Sequence, residues 1–150
     1  MQNIRFTQNG YDQLKKEFAN LTASRPDAVA NLKRAREMGD LSENGFYKES
    51  RAKLSSIDRR LRIISHTLKN AVIIQSAQYG WVGINTHVVL SSGGKELSFV
   101  IVGDLEADPK ARKISLLSPL GKALEGKRVG DTVHITTPKG TATFTIVSIG

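Results

Sequence analysis

The sequence contains no cysteine, which excludes disulfide bonds, thiol catalysis and zinc sites with sulfur ligands. Its histidines, His66, His87 and His134, lie far apart without metal-ligand spacing, so we expect each on the surface or on a strand face. No apolar run approaches the roughly 18 residues that a membrane helix needs, and the start, MQNIRFTQNG, lacks the basic and apolar blocks of a signal peptide. A cytoplasmic protein without a membrane partner is expected.

Acidic residues are fewer than basic ones. The chain has 22 Lys and Arg against 14 Asp and Glu, a formal net charge of +8. Residues 1–75 hold 14 basic and 8 acidic side chains, whereas residues 76–150 hold 8 and 6. The first half therefore carries most of the excess, which favours an anionic partner such as nucleic acid. A solvated coiled-coil surface would explain the same charges without a partner.

The first half has the periodicity of two helices joined by a bend. Thr7 is a plausible N-cap for a helix that ends near Glu37, and Pro26 is expected to kink this helix rather than end it. Its apolar positions are Tyr11, Leu14, Phe18, Leu21, Val29 and Leu32. The second helix has apolar residues at heptad spacing: Tyr47, Leu54, Leu61 and Leu68, with Ile57 and Ile64 between them. This pattern predicts an antiparallel coiled-coil hairpin over residues 1–75, about 45 Å long, with its tip at 39–47.

After a linker around residues 70–79, the period changes to two, which is typical of β-strands. INTHVVL and ELSFVIVG flank the turn SSGGK, and TVHITT and ATFTIVSI flank PKG. Ser118 as N-cap, Pro119 at the first helical position and Gly126 after the end frame one short helix. Residues 76–150 are therefore predicted to form a small α+β domain with an antiparallel sheet and one short helix.

Two acidic residues, Asp40 and Glu43, lie three apart at the predicted bend, within EMGDLSENGFY. Asp-x-x-Glu at a helix start is a variant of the capping box, and spacing alone favours that interpretation. The alternative is that both carboxylates project from the exposed tip and bind a hard cation such as Mg²⁺. Two carboxylates would hold the ion poorly unless another molecule supplied the remaining ligands.

GDLSENGFY, at residues 39–47, resembles the G-D-L-x-E-N-A-E-Y tip motif of the Gre transcript-cleavage factors of bacterial RNA polymerase. IVGDLEADPKARKISLLSPLGKALEGKRVGD and TPKG resemble the C-terminal domain of that family, so the resemblance covers essentially the whole chain. IVGDLEAD is similar to the GreA branch, whereas IDRRLR and the basic hairpin are similar to the GreB branch. The resemblance is closest to GreA, with a GreB-like basic hairpin.

The resemblance implies a coiled-coil hairpin followed by an FKBP-like domain, which docks at the rim of the polymerase secondary channel. The hairpin would enter the channel, where Asp40 and Glu43 would help bind the second Mg²⁺ of the polymerase active site. The chain would need no cofactor of its own, and it would activate the polymerase's hydrolysis of backtracked RNA without being an enzyme. A monomer would bind RNA polymerase, the 3′ end of the nascent RNA and other nucleic acid of the elongation complex.

Further residues receive roles from the same resemblance. Asn44 and Tyr47 would orient the tip. Docking on the polymerase would involve Ser118, Pro119 and Leu120. The predicted RNA contacts are Arg51, Arg59, Arg60 and Arg62.

The tip departs from the family motif where Gly45 and Phe46 replace Ala-Glu. The change removes one carboxylate and weakens the first turn of the second helix by about 1 kcal/mol relative to Ala. It leaves open a second hypothesis, in which the chain binds polymerase and inhibits it. A third hypothesis, a prolyl isomerase or chaperone, follows from the FKBP-like half, although Trp81, Phe99 and Phe144 do not suggest an aromatic pocket.

Overall fold

A computed structural model describes residues 3–39, 43–75 and 80–150. The chain first forms a short strand, β1 (Ile4–Phe6), then two long helices, α1 (Gln8–Arg36) and α2 (Gly45–Lys69), and a second short strand, β2 (Ala71–Ile73). β1 pairs with β2 in parallel, and Ile4 lies opposite Ala71. The helices are therefore inserted between two strands that pair with each other.

The chain divides into two compact units, Asp12–Asn70 and a second unit that combines Met1–Tyr11 with Ala71–Gly150. This division differs from the predicted domains, 1–75 and 76–150, because β1 and the first turn of α1 belong with the second half. β1 and β2 have three residues each, which is too short to show a period in the sequence. Their pairing could therefore not be predicted from the pattern.

Helix α1 begins where the sequence predicts. Thr7 precedes its first turn, and Thr7 Oγ1 accepts a hydrogen bond from Gly10 N at 3.0 Å, as an N-cap does. The helix continues through Pro26, which confirms that this proline does not end it. Val29, one of the apolar positions in the predicted pattern, is 41% exposed and does not lie on the buried face. Ala28, seven residues after Leu21, lies on the buried face instead and is 2% exposed.

Helices α1 and α2 form the predicted antiparallel hairpin. The contacts between them run in opposite directions along the two helices, because higher numbers on α1 meet lower numbers on α2. These contacts join Ala35 to Asn44, Arg25 to Asp58 and Glu17 to Arg60.

The heptad pattern of α2 gives the buried face of the hairpin, as predicted. Ser50, Ile57 and Ile64 are seven apart and buried. The other apolar line of the heptad is half-buried and consists of Tyr47, Leu54, Leu61 and Leu68. The buried stripe of α2 is therefore centred on Ile57 and Ile64, with the longer side chains beside it.

The second unit contains a five-stranded sheet within the described ranges. Its strands are β3 (His87–Ser92), β4 (Lys95–Val102), β5 (Lys113–Ser115), β6 (Thr132–Thr137) and β7 (Gly140–Ile149), in the spatial order β5-β4-β3-β7-β6. Neighbouring strands are antiparallel except β4 and β5, which are parallel. The two predicted hairpins are thus confirmed, and Gly93 and Gly94, with φ of 58° and 82°, form the first turn.

A short helix, α3 (Pro119–Leu124), follows β5 in the sequence, as predicted. Ser118 Oγ accepts a hydrogen bond from Gly121 N at 3.0 Å, and Gly126 has a φ of 76° just after the helix, so the predicted N-cap and stop are confirmed. A Cβ on Gly121 would lie 1.9 Å from Ser115 O, which explains the glycine. The core of this unit consists of Val82, Ile84, Val88, Leu90, Ile101, Leu116, Leu124, Val133 and Ile146.

The described helices include none with the length and apolarity that crossing a bilayer requires. His66, His87 and His134 are all exposed, which confirms their predicted placement on the surface.

Candidate functional site

The candidate site is the tip of the hairpin, residues 39–47. Helix α1 ends with Arg36, and Met38 N still donates to Ala35 O at 3.2 Å. Gly39 then turns the chain with a φ of 101°, a backbone conformation that favours glycine. Asp40 lies outside the described residues, so its metal-binding role stays a prediction.

Asn44 joins the two arms of the hairpin at the tip. Its Oδ1 accepts a hydrogen bond from Tyr47 N at 3.1 Å, so Asn44 is the N-cap of α2. Its Nδ2 donates to Ala35 O at 3.1 Å, one of the carbonyls that a helix end leaves without a full intrahelical partner. A single side chain therefore caps the start of α2 and ties it to the end of α1.

Glu43 lies just before this N-cap. A capping box would require Glu43 to be the third residue of α2, but the helix begins at Gly45 and Tyr47 holds the third position. The capping-box interpretation is therefore wrong for Glu43, because Asn44 performs the capping. Glu43 is exposed, and no described residue bonds to its carboxylate. Among the described residues, therefore, nothing competes with an outside ligand for this carboxylate.

Gly45 and Phe46, which depart from the family motif, lie in the first turn of α2. Phe46 is 40% exposed, and it lines a cleft of ≈ 120 Å³ together with Ala28 and Asn31 of α1. Phe46 therefore borders a groove between the two arms of the hairpin. Gly45 has open space where a Cβ would be, so no close contact requires glycine at this position.

Arg60, one of the four predicted RNA contacts, bonds within the hairpin. Its Nε and Nη2 donate to the two carboxylate oxygens of Glu17 at 2.8 and 2.7 Å. These hydrogen bonds lower the pKa of Glu17 and raise the pKa of Arg60. The pair ties α2 to α1, and it partly neutralises the charge that Arg60 could offer to nucleic acid.

A second ion pair lies on the other side of the buried stripe. Arg25 Nε donates to Asp58 Oδ1 at 2.6 Å, and Arg25 Nη2 donates to Asp58 Oδ2 at 3.2 Å. At about 100° per residue, Asp58 and Arg60 project on opposite sides of Ile57. Exposed pairs of this kind contribute little stability, but two of them that flank a seam fix the register of the arms.

The other three predicted RNA contacts, Arg51, Arg59 and Arg62, are exposed. Arg51 and Arg62 project within about 20° of each other, and Arg59 projects about 80° from Arg51. All three point away from the buried stripe, and we call them the outer basic face of α2. The structure thus gathers three of the four arginines on one surface and pairs Arg60 with the facing helix.

The predicted docking residues, Ser118, Pro119 and Leu120, form the start of α3. Ser118 Oγ donates to Ser115 O at 2.7 Å, besides capping the helix, so its hydroxyl is already bonded. Leu120 is half-buried and packs against the core, whereas Pro119 is exposed. Their role in docking stays a prediction.

Sequence reasoning missed the contacts of Glu106 at the N-terminus of α1. Glu106 accepts hydrogen bonds from Thr7 N at 2.8 Å, from Gly103 N at 3.1 Å and from the Thr7 hydroxyl. A Cβ on Gly10 would lie 2.1 Å from this carboxyl group, and one on Gly103 would lie 2.0 Å from it. Both glycines therefore make room for the carboxylate, which also suits the positive end of the helix dipole.

Asp104, in the same loop, holds Arg5. Arg5 N donates to Asp104 Oδ2 at 2.7 Å and Arg5 Nε donates to Asp104 Oδ1 at 3.0 Å, with the Asp104 side chain only 9% exposed. The segment IVGDLEAD served as a family marker, but no local signal revealed these bonds, because each pair is 99 residues apart.

Two family models match the chain. Residues 4–73 match "Transcription elongation factor, N-terminal", and residues 77–150 match "Transcription elongation factor, GreA/GreB, C-term". The chain is 37% identical over 156 residues to the transcription elongation factor GreA of Nitrosococcus oceani, an alignment that covers 100% of this chain and 99% of the relative. It is 44% identical over 133 residues to the GreA of Acholeplasma laidlawii, with 86% and 84% covered.

Among solved structures, GreA factor homolog 1 (Gfh1) of Thermus thermophilus is similar, with 29% identity, a TM-score of 0.48 and 99% of each chain covered. The two family models together span nearly all residues of the chain. A relative that aligns over its full length is identical to the chain at more than a third of the aligned positions. The chain therefore belongs to the GreA/GreB family of transcription elongation factors.

Proposed function

We propose that this chain enters the secondary channel of RNA polymerase and stimulates the polymerase's own cleavage of backtracked RNA 3′ ends, which releases arrested complexes. The observation that carries this proposal is the position of Glu43. It is an exposed carboxylate at the tip of a long hairpin, directly before a helix that Asn44 caps. Membership of a family of transcription elongation factors favours RNA polymerase as the partner.

The dimensions of the hairpin suit a recessed target. Helix α1 has 29 residues, which corresponds to about 43 Å. The seam of buried residues and the two ion pairs that flank it hold the arms together over much of this length. A stiff arm of this kind can present a carboxylate at the end of a narrow channel.

Glu43, with Asp40, would hold Mg²⁺ only jointly with the polymerase. Mg²⁺ prefers carboxylate, water and phosphate oxygens, and an exposed carboxylate that is not used as a helix cap fits this demand. The chemistry that Mg²⁺ supplies at such a site is a more acidic bound water and stabilisation of charge on the phosphate. The chain's own residues supply position, because Asn44 and Tyr47 fix the start of α2 directly after Glu43.

The outer basic face of α2 supplies the RNA contact in this proposal. Exposed guanidinium groups bind phosphate oxygens in a salt-dependent manner, and Arg51, Arg59 and Arg62 are exposed on one surface. Arg60 contributes less, because Glu17 already holds its guanidinium.

The chain is an accessory factor and not an enzyme in this proposal, because the scissile bond and the metal site belong to the polymerase. It acts as a monomer in the cytoplasm. The second unit docks on the polymerase, with the start of α3 as one part of the docking surface.

The experiment that tests this function measures RNA cleavage in a stalled, backtracked elongation complex with Mg²⁺. We expect short 3′ RNA fragments with the wild-type chain and at least tenfold slower release with the double variant Asp40→Asn, Glu43→Gln, as for loss of a charged group from a metal site. Glu49→Gln, at an exposed acid on α2, is the matched control and should cleave as the wild type does. Equal cleavage by the double variant and the control would refute the role of the tip.

An inhibitor that occupies the channel is the second candidate, favoured by Gly45 and Phe46 in place of the family's Ala-Glu. The same experiment separates the two functions. Binding to polymerase without fragments, together with slower nucleotide addition, would establish inhibition. A prolyl isomerase is not supported, because the three aromatic side chains do not line one pocket. Phe99 and Phe144 pack against the core, whereas Trp81 lines a cleft to which neither Phe contributes.

A further inference from the structure

The chain contains two Asn-Gly pairs, Asn9-Gly10 in the first turn of α1 and Asn44-Gly45 at the start of α2. Asparagine is among the thermolabile residues of proteins, because the backbone nitrogen of the residue that follows can attack its side-chain amide. The attack is easiest before glycine, which has no side chain in the way and gives the backbone the most freedom to rotate. The two pairs have the same local sequence but different surroundings.

The surroundings of Asn9-Gly10 protect it from this reaction. Gly10 is buried, and its backbone nitrogen, which would be the attacking atom, donates a hydrogen bond to Thr7 Oγ1 at 3.0 Å. The Glu106 carboxyl group lies so close that a Cβ on Gly10 would be 2.1 Å from it. The backbone of Asn9 therefore cannot rotate unless the start of α1 separates from Glu106, and we expect this pair to stay intact in the folded chain.

The Asn44-Gly45 pair at the tip is held by fewer contacts. Gly45 is exposed with open space around it, and the N–H of the first residue of a helix has no carbonyl within that helix to bond. The Asn44 amide is held by its bonds to Tyr47 N and Ala35 O. A ψ of 100° at Asn44 turns the Gly45 nitrogen away from the side chain, so attack requires a rotation that breaks the cap.

The cap of α2 therefore slows the reaction, and opening of the first helical turn permits it. This turn opens more readily than the start of α1, because Gly45 weakens it and it lies at an exposed end of the hairpin. The susceptibility of each pair thus follows from the free energy of local opening around it.

We propose that Asn44 is a site of spontaneous deamidation, which proceeds when the first turn of α2 opens. The Gly45 nitrogen loses its proton to solvent and forms a bond to Asn44 Cγ, the bond from Cγ to Nδ2 breaks, and Nδ2 leaves as ammonia. Water then opens the cyclic imide. If the bond between the Gly45 nitrogen and Cγ breaks, the product is aspartate. If the bond between that nitrogen and the backbone carbonyl carbon breaks, the product is isoaspartate, which adds a carbon to the main chain.

Either product changes the tip. Aspartate at position 44 keeps an oxygen that can accept from Tyr47 N, but it loses the donor to Ala35 O and places a new carboxylate directly after Glu43. Isoaspartate lengthens the main chain before α2 and so removes the cap. Any effect on RNA cleavage rests on the proposed function, whereas the deamidation itself does not.

Peptide mapping by mass spectrometry tests the proposal on the full-length chain. Trypsin releases residues 6–15 and 37–48, which contain Asn9 and Asn44 as their single asparagines, and each peptide reports conversion by the mass difference between an amide and an acid. During incubation of the folded chain at mildly alkaline pH, we expect Asn44 to convert about tenfold faster than Asn9 or more. In urea both should convert at similar rates, faster than in the folded chain.

Gly45→Ala is the matched control. Open space at this position accepts the new Cβ, and the added methyl group hinders the attack, so conversion of Asn44 should become slower both in the folded chain and in urea. Equal conversion of Asn44 and Asn9 in the folded chain would overturn the proposal, as would a folded chain in which Asn44 stays intact while it converts in urea. Neither measurement includes polymerase, so failure of the proposed function would leave this result unchanged.

Discussion

The side-chain amide of Asn44 donates to the backbone carbonyl of Ala35 at 3.1 Å, so the start of α2 is bonded to the end of α1 through one residue. The same side chain accepts from Tyr47 N. The two bonds use different atoms of the amide, and substitution can separate them.

Asn44→Ala should remove both bonds and destabilise the hairpin by about 1–2 kcal/mol, as for the loss of an N-cap. Asn44→Asp keeps the acceptor that caps α2 but loses the donor to Ala35, so we expect a smaller loss of stability. Thermal unfolding followed by the helical circular dichroism signal measures both. If cleavage falls in Asn44→Asp while its Tm stays near the wild-type value, the bond to Ala35 positions Glu43. Equal stability of the alanine variant and the wild type would contradict the cap.

Gly10→Ala should destabilise the second unit by about 1–3 kcal/mol. The new Cβ would lie 2.1 Å from the Glu106 carboxyl group and displace it from the hydrogen bonds that it accepts from Thr7 and Gly103. Gly45→Ala is the matched control, also in a first helical turn but with open space around it. It should raise stability by up to about 1 kcal/mol. Urea denaturation measures both, and similar midpoints for the two variants would refute the role of Glu106.

The Glu17–Arg60 pair makes the hairpin more sensitive to acid. Its hydrogen bonds hold the pKa of Glu17 below the ordinary value of 4.5. A carboxyl group whose pKa is lower in the folded state than in the unfolded state stabilises the fold at pH values above its unfolded-state pKa. This stabilisation is lost as the pH falls through its folded-state pKa. Glu17→Gln should therefore unfold at a lower urea concentration than the wild type at pH 7, and this difference should shrink as the pH falls below 4.5, the ordinary pKa of Glu. A gap that is constant across this range would show that the pair's charge does not matter.

Substitutions at the outer basic face should change cleavage, whereas a substitution at Arg60 should change stability. Arg59→Gln combined with Arg62→Gln should weaken RNA contact, seen as slower cleavage that depends less on salt, with little change in Tm. Arg60→Gln should lower the Tm slightly and leave the salt dependence of cleavage unchanged, since Glu17 already holds this arginine. If cleavage depended less on salt in Arg60→Gln but not in the Arg59→Gln, Arg62→Gln variant, Arg60 would be an RNA contact and the other two arginines would not.

A fragment of residues 76–150 should not fold stably. It lacks Arg5 and Thr7, so the carboxylates of Asp104 and Glu106 lose their partners, and breaking a largely buried pair costs about 3–5 kcal/mol. A chain in which a short glycine linker joins residues 1–11 to residues 71–150 keeps these bonds and should fold. Heteronuclear NMR spectra of the two would show dispersed signals only for the joined chain. Dispersed spectra for both would mean that β1 is dispensable.

Long periodic segments were predictable from sequence, and contacts between distant residues were not. The heptads around Ile57 identified the hairpin, and Ser118 and Gly126 framed α3 correctly, because period and capping act over a few residues. The prediction for Glu43 depended on where α2 begins, and a shift of a few residues turned a capping position into an exposed one. The bond between Arg60 and Glu17 depends on how the two arms align, which no single segment encodes.

The insertion of the hairpin between β1 and β2 has a consequence for synthesis on the ribosome. Ile4 pairs with Ala71, which lies 67 residues further along the chain. At a synthesis rate of about 5–20 residues per second, β1 is therefore made several seconds before β2. The hairpin has mostly local contacts and can form within that interval. Once it has formed, the two strand-forming segments are held close together, and the entropy of closing a loop of this length has already been lost. Substitutions that weaken the arms should therefore also delay the folding of the sheet domain.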